Sequence, residues 1–492
     1  MGFLPREGAF PALRIRAKAL EPRGPFARTQ AEYLLPDELA VRRLTGLLEA
    51  TGTAVAAHFY MDPQLQGVLA ASPWPHSSVT DSLAMADRAM EMLDQGARRV
   101  VVLGVDFMSE NVRAVFDAQG LAHVPVHRVA TEPIGCSLAE AAASPAYDAW
   151  LQQAAAVPNA LHVIYINTGL DVKARAEVQI PTLTCTSSNA LQSILQAVAQ
   201  VPEVAIRFGP DTYMGRNLQV YLRRLAAMSP AQVAQVHPDV TPAMVAAALE
   251  RFEAFPDGNC IVHDVFGAEV ARVIRADYQQ ALVAAHLEVP GEMFDLALEA
   301  QAEGRGVVGS TSDILHFILA RVDAAVAGDA EPAEPISVIL GTEAGMITSI
   351  VRAVQARLLQ HRAAGGADLC VEIIFPVAED AVATTDDREL VVVPGVAASE
   401  GCSAMGGCAT CPYMKMNSLD TLIALLERIR DGATAADLAA YEPTRWAGTL
   451  AGRPLAAWGT QPILAMRHFQ RTGCLSDELV ARVRGPQAQQ QE

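Results

Sequence analysis

Cys136, Cys260 and Cys411 each close one copy of a pattern that recurs three times along the chain. The first copy reads AHFY (57–60), DSLAMA (81–86), LGVDFMSEN (103–111) and GCSL (135–138). The second reads YINTG (165–169), CTSSNA (185–190), RFGPDTYMG (207–215) and NCIVH (259–263). The third reads AHLEVPGE (285–292), GSTSDIL (309–315), LGTEAGM (340–346) and ATCPYM (409–414). Three thiolates on one centre would leave a fourth coordination position open to substrate. Zinc could be held in this way, and so could a [4Fe–4S] cluster with one iron free of protein ligands. The plainer alternative is three small buried hydrophobic residues, but GCSL, GNCIVH and TCPYM read as turns rather than core strands. Cys408 makes a CxxC pair with Cys411, and Cys402 lies six residues before Cys408. Taken alone, such a pair could bind zinc, act in redox chemistry or be incidental. Cys185, Cys370 and Cys474 are read as structural.

The apolar runs in each copy end in pairs of reactive side chains two residues apart: His58 with Tyr60, Tyr165 with Asn167, and His286 with Glu288. On a strand, residues i and i+2 share a face, so each pair can aim into one cavity. Together they offer a base (Glu288), groups that give or take a proton (His58, His286, Tyr60) and a neutral hydrogen-bonding amide (Asn167). Ser82, the run Thr186–Ser187–Ser188, and Ser310–Thr311 are each expected to open a helix. As N-caps they would be wholly structural; three helix N-termini on one axis would also bind carboxylates or a phosphate. Asp106, Asp211 and Glu343 end the second strand of each copy, and the sequence leaves their role undecided.

These side chains need strands to carry them. TAVAA (53–57), RVVVL (99–103), HVIYI (162–166), EVAIRF (203–208), ALVAA (281–285) and ISVIL (336–340) are short apolar runs with helical periodicity between them. Continuous rather than alternating apolar runs predict parallel strands covered on both faces, in α/β units with right-handed crossovers. The expected fold is three similar three-layer αβα units with short parallel sheets, in a pseudo-threefold arrangement around a central Fe–S site. The expected boundaries are an N-terminal extension (1–45), units at 46–148, 149–264 and 265–412, a C-terminal helical return to the first unit (413–480) and a disordered tail (481–492). The spacings His58 to Ser82, Tyr165 to Ser187 and Glu288 to Ser310 are 24, 22 and 22 residues, which supports a true triplication.

A net charge of −18 argues against nucleic acid and anionic membranes as partners. No apolar run reaches the ~18–20 residues of a membrane span. Eight cysteines in 492 residues do not make a disulfide scaffold, and the expected location is the cytoplasm. Residues 1–30 hold six Arg/Lys but no serine, which weighs against a transit peptide. Among 34 arginines there are only three lysines, and Lys173 and Lys415 both fall within or beside the motifs. A chain so biased toward arginine keeps lysine where a compact ammonium is needed.

AHFYMDP, DSLAMA, GVDFMSEN, GCSLA, YINT followed by VKA, CTSSNA, CIVHDVFG, AHLEVPGEM, GSTS, GTEAGM and CATCPYMKMNSL together resemble quinolinate synthases, from about residue 45 to residue 430. The likeness is to the long form of cyanobacteria and plants, without the plant sulfur-transfer domain. The resemblance implies an oxygen-sensitive [4Fe–4S] cluster, one per chain, with Cys136, Cys260 and Cys411 as ligands. It implies condensation of iminoaspartate with dihydroxyacetone phosphate, losing phosphate and two waters, in de novo NAD biosynthesis. By the same likeness, Tyr60, Glu288, His58, His286 and Tyr165 match catalytic positions. Ser82, Asn167, Ser187, His263, Ser310 and Thr311 match substrate-binding ones. L-Aspartate oxidase is the implied functional partner and supplies iminoaspartate; a homodimer is compatible with the chain. Phe59 stands where shorter members carry tyrosine, and residues 61–80 depart from their glycine-rich path. Rival readings are an aconitase-like Fe–S hydro-lyase and a cluster-bearing regulator without turnover. A zinc hydrolase lacks any HExxH-type spacing.

Overall fold

The computed structural model describes residues 10–328, 335–376 and 410–485. The acidic linker at 329–334, the insertion beyond 376 with its strand-like ELVVV, Cys402, Cys408 and the tail beyond 485 lie outside the described residues.

Two short strands, β1 (Ala12–Ile15) and β2 (Leu20–Arg23), precede the first repeat. The first sheet comprises β3 (Thr53–His58), β4 (Ser77–Thr80), β5 (Arg99–Leu103) and β6 (Val126–His127), all parallel, in the order β4-β3-β5-β6. The second comprises β7 (Ala160–Tyr165), β8 (Thr182–Cys185), β9 (Ala205–Gly209) and β10 (Glu253–Ala254), in the order β8-β7-β9-β10. The third comprises β11 (Leu282–His286), β12 (Gly306–Gly309), β13 (Ile336–Gly341) and β14 (Val371–Ile374), in the order β12-β11-β13-β14. All three sheets therefore share one strand order, with the first strand of each repeat between the second and third. All six residues of β3 and of β7 are buried, as strands with both faces covered must be.

The N-terminal segment departs from the expected extension. β1 pairs antiparallel with β14 and β2 antiparallel with β1, so residues 12–23 complete the third sheet and make it mixed. Leu13 and Ile15 enter the core beneath that sheet. Further along, the helix Leu419–Arg430 packs with the helix Glu38–Thr51 over β3 and β5. The helix Leu455–Thr472 lies on the helix Leu170–Gln179 and on β8, and it also reaches the first unit, where Arg467 pairs with Asp87 at 2.6 Å. Gly459 permits that approach, since a Cβ there would stand 2.3 Å from the Leu170 carbonyl oxygen.

β3, β7 and β11 end at His58, Tyr165 and His286, so the reactive pairs leave their sheets at the carboxyl edges, where α/β sheets hold ligands.

Candidate active site

One cavity is lined by His58, Tyr60, Ser82, Cys136, Tyr165, Asn167, Ser187, Cys260, His286, Glu288, Thr311 and Cys411. Each of the three sheets contributes one strand-end pair, and one cysteine follows the fourth strand of each repeat in sequence. Each cysteine starts a turn whose amides face its sulfur: Leu138 and Ala139 for Cys136, His263 for Cys260, Tyr413 and Met414 for Cys411. Backbone N–H groups so placed favour a thiolate. Burial opposes it, raising Cys136 to about 11 and pushing Cys260 and Cys411 up as well. The other two sulfurs raise Cys260 further, and Cys136 raises Cys411, so the three thiols lie close enough to feel one another's charge. Amide-supported thiols that repel one another across a cavity fit a shared cationic centre. All three are free of disulfides.

His58 and His286 are built alike. The Tyr60 amide donates to His58 Nδ1 at 3.2 Å, and the Glu288 amide donates to His286 Nδ1 at 3.3 Å. Burial lowers His58 to about 4 and His286 to about 3, so both rings are neutral near pH 7. A neutral ring that accepts at Nδ1 carries its proton on Nε2. Both histidines are thus hydrogen-bond donors at Nε2 rather than bases.

Glu288 is the anionic centre. Burial works against its charge, but the His286 and His263 rings and the Tyr165 hydroxyl outweigh burial and hold its carboxyl well below the usual range. The Tyr165 hydroxyl donates to Glu288 Oε1, and His263 Nδ1 lies 3.0 Å from Oε2. His263 stacks on His286 with ring centroids 4.7 Å apart, and its Nε2 is 3.4 Å from the Thr342 hydroxyl. That hydroxyl shares a 3.1 Å hydrogen bond with Tyr60. Hydrogen bonds therefore join Tyr60, Thr342 and His263, and His263 lies within ion-pair distance of the carboxylate that Tyr165 bonds. Burial and then the Glu288 charge raise both phenols, which keeps them protonated.

Two expected site residues stand apart from the cavity wall. Ser310 is spent on a capping box with Asp313, and His263 sits behind Glu288. Ser82 and Ser187 face the cavity but do not cap their helices. Asp81 Oδ1 takes the Leu83 and Ala84 amides, and Asn189 accepts from the Thr186 amide. Asp81 adds a contact that the sequence did not signal: its Oδ2 lies 3.5 Å from Ser188 Oγ and 3.4 Å from Ser312 Oγ, so the three Ser/Thr turns meet on one carboxylate. Glu343 was also undervalued: it lines the cavity and accepts the Cys411 amide at 2.7 Å, bracing the third cysteine. Of the other two strand-end acids, Asp106 pairs with Arg128 and Asp211 caps the helix Thr212–Ala226. Phe59 is buried under the third sheet, so its departure from tyrosine leaves the cavity untouched.

Residues 42–442 match the family model described as Quinolinate synthetase A protein. The chain belongs to the quinolinate synthase family. It is 47% identical over 490 residues to the chloroplastic quinolinate synthase of Nicotiana tabacum, covering 97% of this chain and 67% of that one. The chloroplastic enzyme of Arabidopsis thaliana is 45% identical over 500 residues, covering 98% of this chain and 68% of the relative. The quinolinate synthase of Prochlorococcus marinus is 24% identical over 384 residues, or 78% of this chain and 82% of the other. The expected cytoplasmic location is corrected by this comparison, since the plant relatives are chloroplastic by name and point to the plastid. Among the described residues, no helix is long and apolar enough to cross a membrane.

Proposed function

We propose that this quinolinate synthase condenses iminoaspartate with dihydroxyacetone phosphate to quinolinate, releasing phosphate and two waters, on a [4Fe–4S] cluster held by Cys136, Cys260 and Cys411. The observation that carries the reading is the meeting of three cysteines and three strand-end pairs in one cavity, drawn from sheets of one strand order. The shared order and the junction of three turns on Asp81 support a triplicated ancestor in pseudo-threefold arrangement. When bound, the cluster supplies a Lewis-acidic iron that favours loss of hydroxide from a substrate carbon.

The chain's own residues supply the remainder. Glu288, ionised beside a protonated Tyr165, takes a proton from the triose-derived carbons as they isomerise and dehydrate. Tyr60 delivers or receives protons on the opposite wall, joined to Glu288 through Thr342 and His263. His58 and His286 donate from Nε2 to substrate oxygens and stabilise charge that builds there. Ser82, Asn167, Ser187 and Thr311 hold carboxylates and phosphate, and Ser310 keeps the turn that presents Thr311. Iminoaspartate would come from a separate L-aspartate oxidase.

The deciding experiment supplies anaerobically purified protein with dihydroxyacetone phosphate and freshly generated iminoaspartate and measures quinolinate. Formation that needs both substrates and is lost in air is expected. Turnover of a hydroxy acid without dihydroxyacetone phosphate would move the reading to a hydro-lyase.

A further inference from the structure

Lys173 is fully buried, lies outside the cavity wall, and takes no part in the chemistry described above. Its Nζ donates to the Ile166 carbonyl at 3.0 Å and to the Thr168 carbonyl at 2.5 Å, the carbonyls of the residues on either side of Asn167. The ammonium lies 5.9 Å from the centroid of Phe107, a cavity residue on the helix that also carries Glu110. Glu110 is buried as well, and its Oε2 accepts the Leu170 amide at 2.9 Å. Lys173 and Glu110 attract one another through space, so two buried groups of opposite charge grip the loop 166–170 from both polarities. Carbonyls are drawn to the ammonium and an amide to the carboxylate. A loop held at three backbone points has little freedom to turn Asn167 away.

We propose that Lys173 and Glu110 are positioning residues, which fix the backbone on either side of Asn167 so that its amide points into the substrate cavity. Burial lowers Lys173 to about 7, a cost that a purely space-filling residue would not incur. One of only three lysines in an arginine-rich chain occupies this place, where a compact ammonium bonds two carbonyls at once. The inference rests on reading the cavity as the quinolinate-forming site.

The test is a double-mutant cycle on ligand binding, without turnover. Quinolinate is titrated calorimetrically into anaerobically purified protein, native or carrying Asn167→Ala, each with and without Lys173→Met/Glu110→Gln. The paired change removes both charges together and keeps an amide oxygen for Leu170. Its expected effect is about a tenfold loss of quinolinate affinity in the native background, the scale of one charge-assisted hydrogen bond, and no further loss with Asn167→Ala. Thermal unfolding verifies that each protein is folded. Equal losses in both backgrounds would make the pair merely structural and overturn the proposal, and so would an unchanged affinity in the native background. If the paired variant does not fold, Glu110→Gln alone is read in the same cycle, with a smaller loss that again vanishes beside Asn167→Ala. Unaltered protein that binds no quinolinate would instead defeat the reading of the cavity, and the positioning role with it.

Discussion

The Tyr165 hydroxyl donates to the Glu288 carboxylate, and that bond joins the end of β7 in the second sheet to the end of β11 in the third. It fixes which partner holds the proton. The phenol, raised by burial and by the adjacent charge, stays protonated, while the carboxylate stays ionised beside two histidines. Tyr165→Phe removes the donor and leaves the His263 contact in place. Turnover should fall by about a hundredfold with the cluster spectrum unchanged. Glu288→Gln should cost more, since it removes the base itself. Steady-state rates on anaerobic protein decide the matter, and full activity in Glu288→Gln would reduce that residue to substrate orientation.

Cys136, Cys260 and Cys411 should each be required for cluster binding. Their sulfurs face turn amides, and a serine oxygen in the same place is a harder, less acidic ligand. Replacing any one with serine should abolish the brown absorbance and the iron content of purified protein. Full iron retention in Cys260→Ser would remove the three-cysteine centre.

Thr342 predicts a subtler phenotype. Its side chain is buried between the Tyr60 hydroxyl and His263 Nε2 and bonds to both. Thr342→Val keeps the shape and breaks both bonds. The expected result is roughly a tenfold fall in kcat with KM for dihydroxyacetone phosphate unchanged, restored by Thr342→Ser. A rise in KM alone would mean that the hydroxyl serves substrate binding.

How much of this could be read in advance depended on how local each cause is. β3, β7 and β11 announced themselves because strands covered on both faces must be apolar throughout, and their polar ends then stood out. β1 and β2 gave no such signal: ALRI and LEPR are short and partly charged, and β1's partner β14 lies more than 350 residues away. Ser310 was legible as a cap because Asp313 completes the box three residues later. Ser82 and Ser187 could be caps or ligand-binding groups by sequence, and they do not cap because Asp81 and Asn189 take the amides instead. Glu343 could not be assigned, since its role comes from the Cys411 amide, 68 residues on.

The N-terminal strand is a further point of vulnerability. Leu13 on β1 is fully buried beneath the third sheet, and its neighbour Arg14 pairs with Glu372 on β14 at 2.9 Å. Leu13→Ala should cost about 2–5 kcal/mol through lost burial and a residual cavity. Arg14→Ala, at an exposed position, should cost about 0–1 kcal/mol. Denaturant unfolding compares the two. Equal, small losses would mean that β1 is dispensable to the core.

His162 gives a pH signature independent of the metal centre. It is fully buried on β7, shares a 2.9 Å hydrogen bond with the Tyr147 hydroxyl, and burial lowers it to about 3. In the unfolded chain it titrates near 6.5, so between the two values the unfolded state binds the extra proton. Its contribution is therefore fully present above pH 6.5 and is lost as the pH falls toward 3. The slope is on the order of 1.4 kcal/mol per pH unit. His58, His127 and His286 are lowered in the same direction and steepen the same fall. The contrast to measure is thus between native protein and His162→Gln, with unfolding midpoints taken from pH 7.5 down to 5. The variant should start less stable and lose stability less steeply, so the two curves converge on acidification. Parallel curves would mean that His162 is protonated in the folded protein, and that its ring is hydrated rather than sealed beneath Tyr147.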